Sequence, residues 1–286
     1  VETRSPFRSR IVWTALIGGG IATAALASEY AGLARSAGPS GSIIERFAPP
    51  DGYARVPVAA DSYKEWLRQL PLLPDTTPAC DWTGRLVFAP HEIGGVLDWR
   101  LLGAEEQCAD IVMRLLAEYA WIDDPSSIPA FRSLSGQEMV WARWLSGRYG
   151  TNTAQTAIVH TPGARRDPSR RELDAYLRFV MTYANTASLA RDWPEVAPAD
   201  LAIGDVVIQP HCTGQGMGHL SVVVDACRDA EGHQLYLFVD GFTPARDPVV
   251  RQRLAGDRSS AWMTLAEYLQ LQSVFGPGFC HRPPAK

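Results

Sequence analysis

The last third of the chain carries the simplest pattern. "LAIGDVVIQP", "GHLSVVVDA" and "LYLFVDGFTP" are β-branched and aromatic runs separated by Gly, Pro, Asp and Glu. Runs of this kind bounded by turn residues predict three successive antiparallel strands. Earlier, the apolar period lengthens to that of helices. In "GAEEQCADIVMRLLAEYAW" (Gly103–Trp121), Cys108, Ile111, Val112, Leu115 and Tyr119 share one face. Asp110, Arg114 and Glu118 run down the other at i, i+4 spacing and predict a solvent-facing side. "DSYKEWLRQLPLLP" predicts a short helix capped by Asp61 or Ser62 and stopped near Pro71. "SGQEMVWARWLSG" and "RRELDAYLRFVMTYANTASLARD" predict two more, with Trp141 and Trp144 as core or groove-wall residues rather than a sugar platform. "SIIERFAPPDGYARVPV", "GRLVFAP" and "GGVLDW" read as short extended pieces. Helices first and strands after predict an α+β fold, with the helices packed on an antiparallel sheet.

Composition sets the scale. With 286 residues and 46% hydrophobic content, the chain can bury the core of one large domain. A net charge of -4 offers no footprint for nucleic acid. The basic cluster "GARRDPSRRE" (Gly163–Glu172) is broken by Gly, Pro and Ser and reads as a solvated loop. At the N-terminus Arg4, Arg8 and Arg10 precede the uncharged run "IVWTALIGGGIATAALA", which ends in a small-x-small pattern before Ser28. Residues 1–27 therefore read as a secretory signal peptide, or as a membrane anchor if uncleaved. Residues 28–41 read as a flexible spacer, 42–276 as a single α+β domain, and 277–286 as a tail. The expected location is periplasmic or secreted, with any membrane attachment confined to the N-terminal segment.

Export changes how the cysteines read. Cys80, Cys108, Cys212, Cys227 and Cys280 are odd in number, so one is left over and the others allow up to two disulfides. No CxxC pattern exists, which argues against structural zinc. A metal site of His211, Cys212, His219 and Cys227 matches no common spacing. No metal or organic cofactor is implied.

Cys108 stands one turn into its helical stretch and is either a small core residue or a nucleophile. A helix dipole contributes only about 0.3–1 kcal/mol, less than one pKa unit, so a reactive thiolate requires a histidine in contact. His91 and His160 read as loop residues, His233 as part of a turn, His281 as part of the tail, and His211 as part of a Gly-rich loop. His219 alone opens a strong strand after a glycine-rich segment. Pairing its strand with "LYLFVDGF" across a turn near Asp229–Glu231 places Asp240 opposite His219 or one pair away, on the same face. Asp225 is read onto that face too, but six residues along, about 20 Å away. Cys108, His219 and Asp240 thus form the candidate catalytic set, and Gln107 is the candidate oxyanion donor unless it is merely an exposed first-turn residue.

The order of a cysteine at a helix start, a "GD" strand in "IGDVVIQP" and a histidine strand in "GHLSVVVD" resembles papain-like cysteine hydrolases, in particular NlpC-type cell-wall hydrolases. A longer resemblance runs from Ile43 to Val250 through "RFAPPDGYARVPV", "SYKEWLRQLPL", "EQCADIVMRLLAEY", "WARWLSG", "FVMTYANTASLARD", "IGDVVIQP" and "FTPARDP". It is to a bacterial family known as domain of unknown function 4846, which more often carries Gln at the position of Asp240 and Gly at that of Asn185. The shorter resemblance implies a papain-like half-barrel and an exported thiol hydrolase, an amidase or peptidase acting on cell-wall peptide or another envelope amide. Two other classes stay open. One is a transglutaminase-like acyl transferase using the same site; the other is a non-catalytic envelope binding module with Cys108 in its core.

Overall fold

The computed structural model describes residues 40–87, 92–154, 157–210 and 218–284. The helices are α1 (Ile43–Arg46), α2 (Tyr63–Arg68), α3 (Cys108–Asp123), α4 (Trp141–Leu145), α5 (Arg170–Tyr183), α6 (Thr186–Asp192) and α7 (Leu265–Leu271). The strands are β1 (Ala54–Arg55), β2 (Ile93–Val96), β3 (Phe131–Arg132), β4 (Glu138–Met139), β5 (Gly147–Thr151) and β6 (Ile158–Pro162). They continue with β7 (Glu195–Val196), β8 (Val206–Gln209), β9 (His219–Arg228), β10 (Gln234–Asp240), β11 (Val249–Arg251) and β12 (Phe279–His281). The signal and spacer segments and the His91, His211 and Cys212 positions lie outside the described residues.

Eight strands form one antiparallel sheet in the order β2-β11-β10-β9-β8-β12-β7, with β1 paired to the far end of β9. β8, β9 and β10 are the three strands the sequence predicts, paired successively and antiparallel, and α2 and α3 both pack on β9. A mixed α/β fold around a large antiparallel sheet is therefore present. The Ser62 hydroxyl caps α2 by accepting from Glu65 N–H at 3.2 Å, and the helix stops before Pro71 as expected.

Local chemistry explains the departures. "SIIERF" is helical rather than extended, because the Glu45 carboxylate accepts from the Ser42 N–H at 2.8 Å and closes a first turn. The stretch from Arg170 to Asp192 is two helices, not one. The Asn185 side chain accepts from the N–H groups of Ala187 and Ser188 at 3.0 and 3.1 Å and starts α6 afresh. Only Trp141–Leu145 of "SGQEMVWARWLSG" is helical, since Glu138–Met139 pairs with β3. The β5–β6 hairpin was not legible, and it places His160 in a strand rather than a loop.

Two corrections concern the core. The polar side of α3 faces protein, not water: Asp110, Arg114 and Glu118 are all buried. Arg114 binds Glu106 at 2.8 Å and Glu118 at 3.1 Å, Glu106 accepts from Trp99 Nε1 at 2.8 Å, and Arg170 of α5 closes on Glu118. The i, i+4 charges are thus an internal network between α3 and α5. The segment after 276 is also more than a tail. β12 lies between β8 and β7, His281 Nδ1 meets Trp193 O at 2.9 Å, and Arg282 binds Asp205 at 2.7 Å. Trp141 is buried, and Trp144 packs among Tyr149, Tyr176 and Phe179, as core and wall residues.

The expected disulfides are not formed among the described cysteines: Cys80, Cys108, Cys227 and Cys280 are thiols. Register keeps two of them apart. Cys280 lies opposite Val207, which lies opposite Ser221, six residues along β9 from Cys227. With strands about 4.8 Å apart, that separation far exceeds the reach of about 7 Å for bridged Cα atoms.

Candidate active site

The sheet brings His219 and Asp240 together through one irregularity. Near the turn, Gln234 pairs with Arg228 and Leu237 with Asp225; beyond it, Phe238 pairs with Val223 and Val239 with Val222. Val224 is the extra residue of a β-bulge. Continued without the bulge, the first register would set Asp240 against Val222 and turn it away from His219, because adjacent residues face opposite sides. With it, Asp240 shares the face of His219, Ser221 and Val223. Asp225 falls on the other face, correcting its expected placement, and is held there by Arg68 at 2.5 Å and Arg55 at 2.7 Å.

His219 Nε2 lies 3.1 Å from Asp240 Oδ2 and 3.3 Å from Ser221 Oγ. The Ser221 hydroxyl is shared with Tyr268 OH of α7. Phe275 stacks on the imidazole with ring centres 4.3 Å apart, and Phe242 lies 5.8 Å away at a tilt. Ring position is therefore set from three sides. With Nε2 engaged by Asp240, the other ring nitrogen is the one left for the thiol.

Cys108 is the first residue of α3, and Gln107 is its N-cap. The helix end approaches the sheet closely at Gly241, the residue after β10. A Cβ there would stand 2.9 Å from Ile111 Cγ1, so only glycine allows this seat without displacement. Cys108 is thereby within hydrogen-bonding reach of His219, and its sulfur also receives the N–H groups of Leu220 and Ala109. The carbonyl of Gly218 is 4.0 Å from Sγ. Thr243 Oγ1 donates to Gln107 Oε1 at 2.8 Å, which fixes the amide and leaves its NH2 group to donate elsewhere. Cys108 is 5% exposed and His219 and Asp240 are each 1% exposed, while Gln107, Phe242 and Thr243 are half-buried.

The charges follow from these contacts. Burial pushes the Cys108 thiol up, but the His219 hydrogen bond and charge and the two N–H groups outweigh it, leaving the thiol below its ordinary value. Burial pulls His219 down, but Asp240 and Cys108 together raise it to about 9. Asp240 is held below the usual carboxylate range: against burial act the charge of Arg251, then the hydrogen bond and charge of His219. Arg251 Nε is 3.6 Å from Asp240 Oδ2, and Arg251 also pairs with Glu92. Gln272, with its amide oxygen turned to that guanidinium, accepts from it at 2.9 and 3.0 Å. Nearby acids do not oppose a thiolate: Glu106 is paired with Arg114, and burial drives Asp110 well above the carboxylate range and so toward its neutral form.

All four residues predicted from sequence (Cys108, His219, Asp240 and Gln107) therefore meet at one place. Sequence reasoning missed Ser221, Tyr268, Arg251, Gln272 and Phe275. Ser221 was legible as the same-face neighbour of His219; the others arrive from segments whose position only the fold defines. Among the described residues, Asp229, Glu231 and His233 group closely enough to hold a metal, but they form an exposed turn remote in register from His219.

The profile of a family described as Domain of unknown function (4846) matches residues 43–275. The chain belongs to that family. Membership in the 4846 family covers every element from α1 to α7, and so the whole candidate site, but its description assigns no activity. No curated protein and no solved structure gives a significant match.

Proposed function

We propose that this protein is a thiol hydrolase that cleaves an amide bond, with Cys108 as nucleophile, His219 as base and acid, and Asp240 as the group that orients the ring. One observation carries the reading: a single buried imidazole is hydrogen-bonded to a carboxylate and lies close enough to a thiol at a helix start for each to favour the charged form of the other. The Cys108 thiolate attacks the carbonyl carbon, and the developing oxyanion is met by the Gln107 amide NH2 and the Cys108 N–H. His219 then gives its proton to the leaving nitrogen, which departs as an amine and leaves a thioester. Water attacks the thioester, His219 takes the water proton, and the acid and the thiolate separate.

The order of Cys helix, His strand and carboxylate strand supports a papain-like reading of the fold. The Arg-rich start and apolar run of residues 4–27 support export, which makes cell-wall peptide the leading substrate class.

The test is alkylation of Cys108 against pH. A thiolate–imidazolium pair titrates as a unit, so Cys108 should react appreciably at pH 6, where a thiol of pKa about 8.5 is less than about 1% ionised. His219→Ala should abolish this low-pH reactivity, and Asp240→Ala should weaken it less. A single transition near 8.5 in the wild type, unchanged in His219→Ala, would return Cys108 to the core.

A further inference from the structure

Four arginines are buried among the described residues: Arg68, Arg114, Arg246 and Arg251. Three hold carboxylates. Arg68 binds Asp225, Arg114 binds Glu106 and Glu118, and Arg251 binds Glu92 and faces Asp240. Arg246 holds none. Its Nε is buried with no hydrogen-bond partner, and the side chain forms no ion pair with any described residue, though it is only 9% exposed. A guanidinium N–H kept from water without an acceptor is costly, and although the Arg246 charge favours the Asp240 carboxylate, no described group accepts from its Nε.

Its location suggests the use. The Arg246 guanidinium carbon sits 4.2 Å from the centre of the Phe242 ring, and Phe242 is one of the two aromatic neighbours of His219. The backbone is pinned on both sides: Arg246 bridges Asp81, Ala245 O accepts from Trp82 N–H at 3.0 Å, and Asp247 N–H donates to Cys80 O at 2.9 Å. With one face on Phe242, the guanidinium can bind through its edge, which offers the paired donors that fit a carboxylate. Asp240 and Cys108 are both near enough to act on it electrostatically.

We propose that Arg246 is a specificity-determining residue that binds a carboxylate on the substrate beside the scissile amide. This rests on the thiol-hydrolase reading and narrows its substrate class to acidic amides. The carboxylate supplies the acceptor that Arg246 lacks, and Phe242 aligns the guanidinium with the reacting centre.

The test compares iodoacetate with iodoacetamide on the full chain at fixed ionic strength. The two reagents differ chiefly in the carboxylate. The iodoacetate-to-iodoacetamide rate ratio at Cys108 should fall about tenfold in Arg246→Gln and recover in part in Arg246→Lys. An Arg246 that only supports Asp240 or the fold would change both rates together, and an unchanged ratio overturns the proposal. A second measurement stands apart from Cys108 reactivity: acetate, but not acetamide, should raise the thermal midpoint of the wild type and of Cys108→Ser. Arg246→Gln should lose that difference and Arg246→Lys should keep part of it; equal effects of acetate and acetamide on the wild type, or a difference retained in full in Arg246→Gln, overturn the carboxylate site. If Cys108 reacts with neither reagent at pH 6 while the acetate effect persists, the hydrolase reading fails and the anion site stands.

Discussion

His219 has two ionisable partners, Asp240 and Cys108, and both favour its charged form. Its value near 9 lies above the ordinary 6.5, so its stabilising contribution is complete below about 6.5 and is lost as pH rises toward 9. Cys108 is shifted the other way, and its contribution is present above its ordinary value of 9.0 and lost as pH falls through the lowered one. Above both 6.5 and the lowered Cys108 value, and below about 9, the two slopes oppose, because there the folded pair and the unfolded pair each hold one proton. The wild type should therefore show a nearly flat midpoint of urea unfolding over this interval. Cys108→Ala removes the thiol but keeps Asp240 on the ring, so it should lose stability as pH rises from 6.5 to 9. A flat profile in that variant would mean that Asp240 does not hold the imidazole charged.

At the scale of elements, the site is a junction between one helix end and two strand ends. Gly241 is where α3 seats. Gly241→Ala sets a methyl 2.9 Å from Ile111 Cγ1, and the first turn of α3 must shift with Cys108 on it. The expected cost is about 1–3 kcal/mol, with loss of low-pH alkylation. Gly150→Ala in β5 meets nothing within 4 Å and serves as the control, with stability and alkylation unchanged. Reactivity retained in Gly241→Ala would mean that the helix seat does not set the thiol position. The bulge at Val224 acts at the same scale, since one unpaired residue decides which face Asp240 takes.

For the whole molecule, the sheet is completed by the last strand of the chain. β12 covers the edge of β8, buries Cys280 and His281, and brings Arg282 to the buried Asp205. Truncation after Gly276 should leave the β8 edge open and Asp205 without its arginine, and cost about 2–4 kcal/mol. Chemical denaturation of the truncated and full chains measures this directly. Equal midpoints would show that β12 is dispensable, as a tail would be.

Much of this was present in local pattern. The strands around Val206–Asp240 follow from alternation and turn residues, and α2 from its cap. That His219 and Asp240 lie near each other follows from hairpin pairing, because two strands joined by a short turn have few registers available, but their shared face depends on the bulge at Val224. What needed tertiary structure is what depends on partners distant in the chain. Identical i, i+4 charges on α3 would face water on an isolated helix; α5 and Trp99 cover them and make them internal. A three-residue strand such as β12 has too little pattern of its own to announce itself and exists because β8 has an open edge. The pairing of Cys108 with His219, and the isolation of Arg246 among carboxylate-bound arginines, are distances across the fold. Periodicity records which side of an element is apolar, but not which element arrives to meet it.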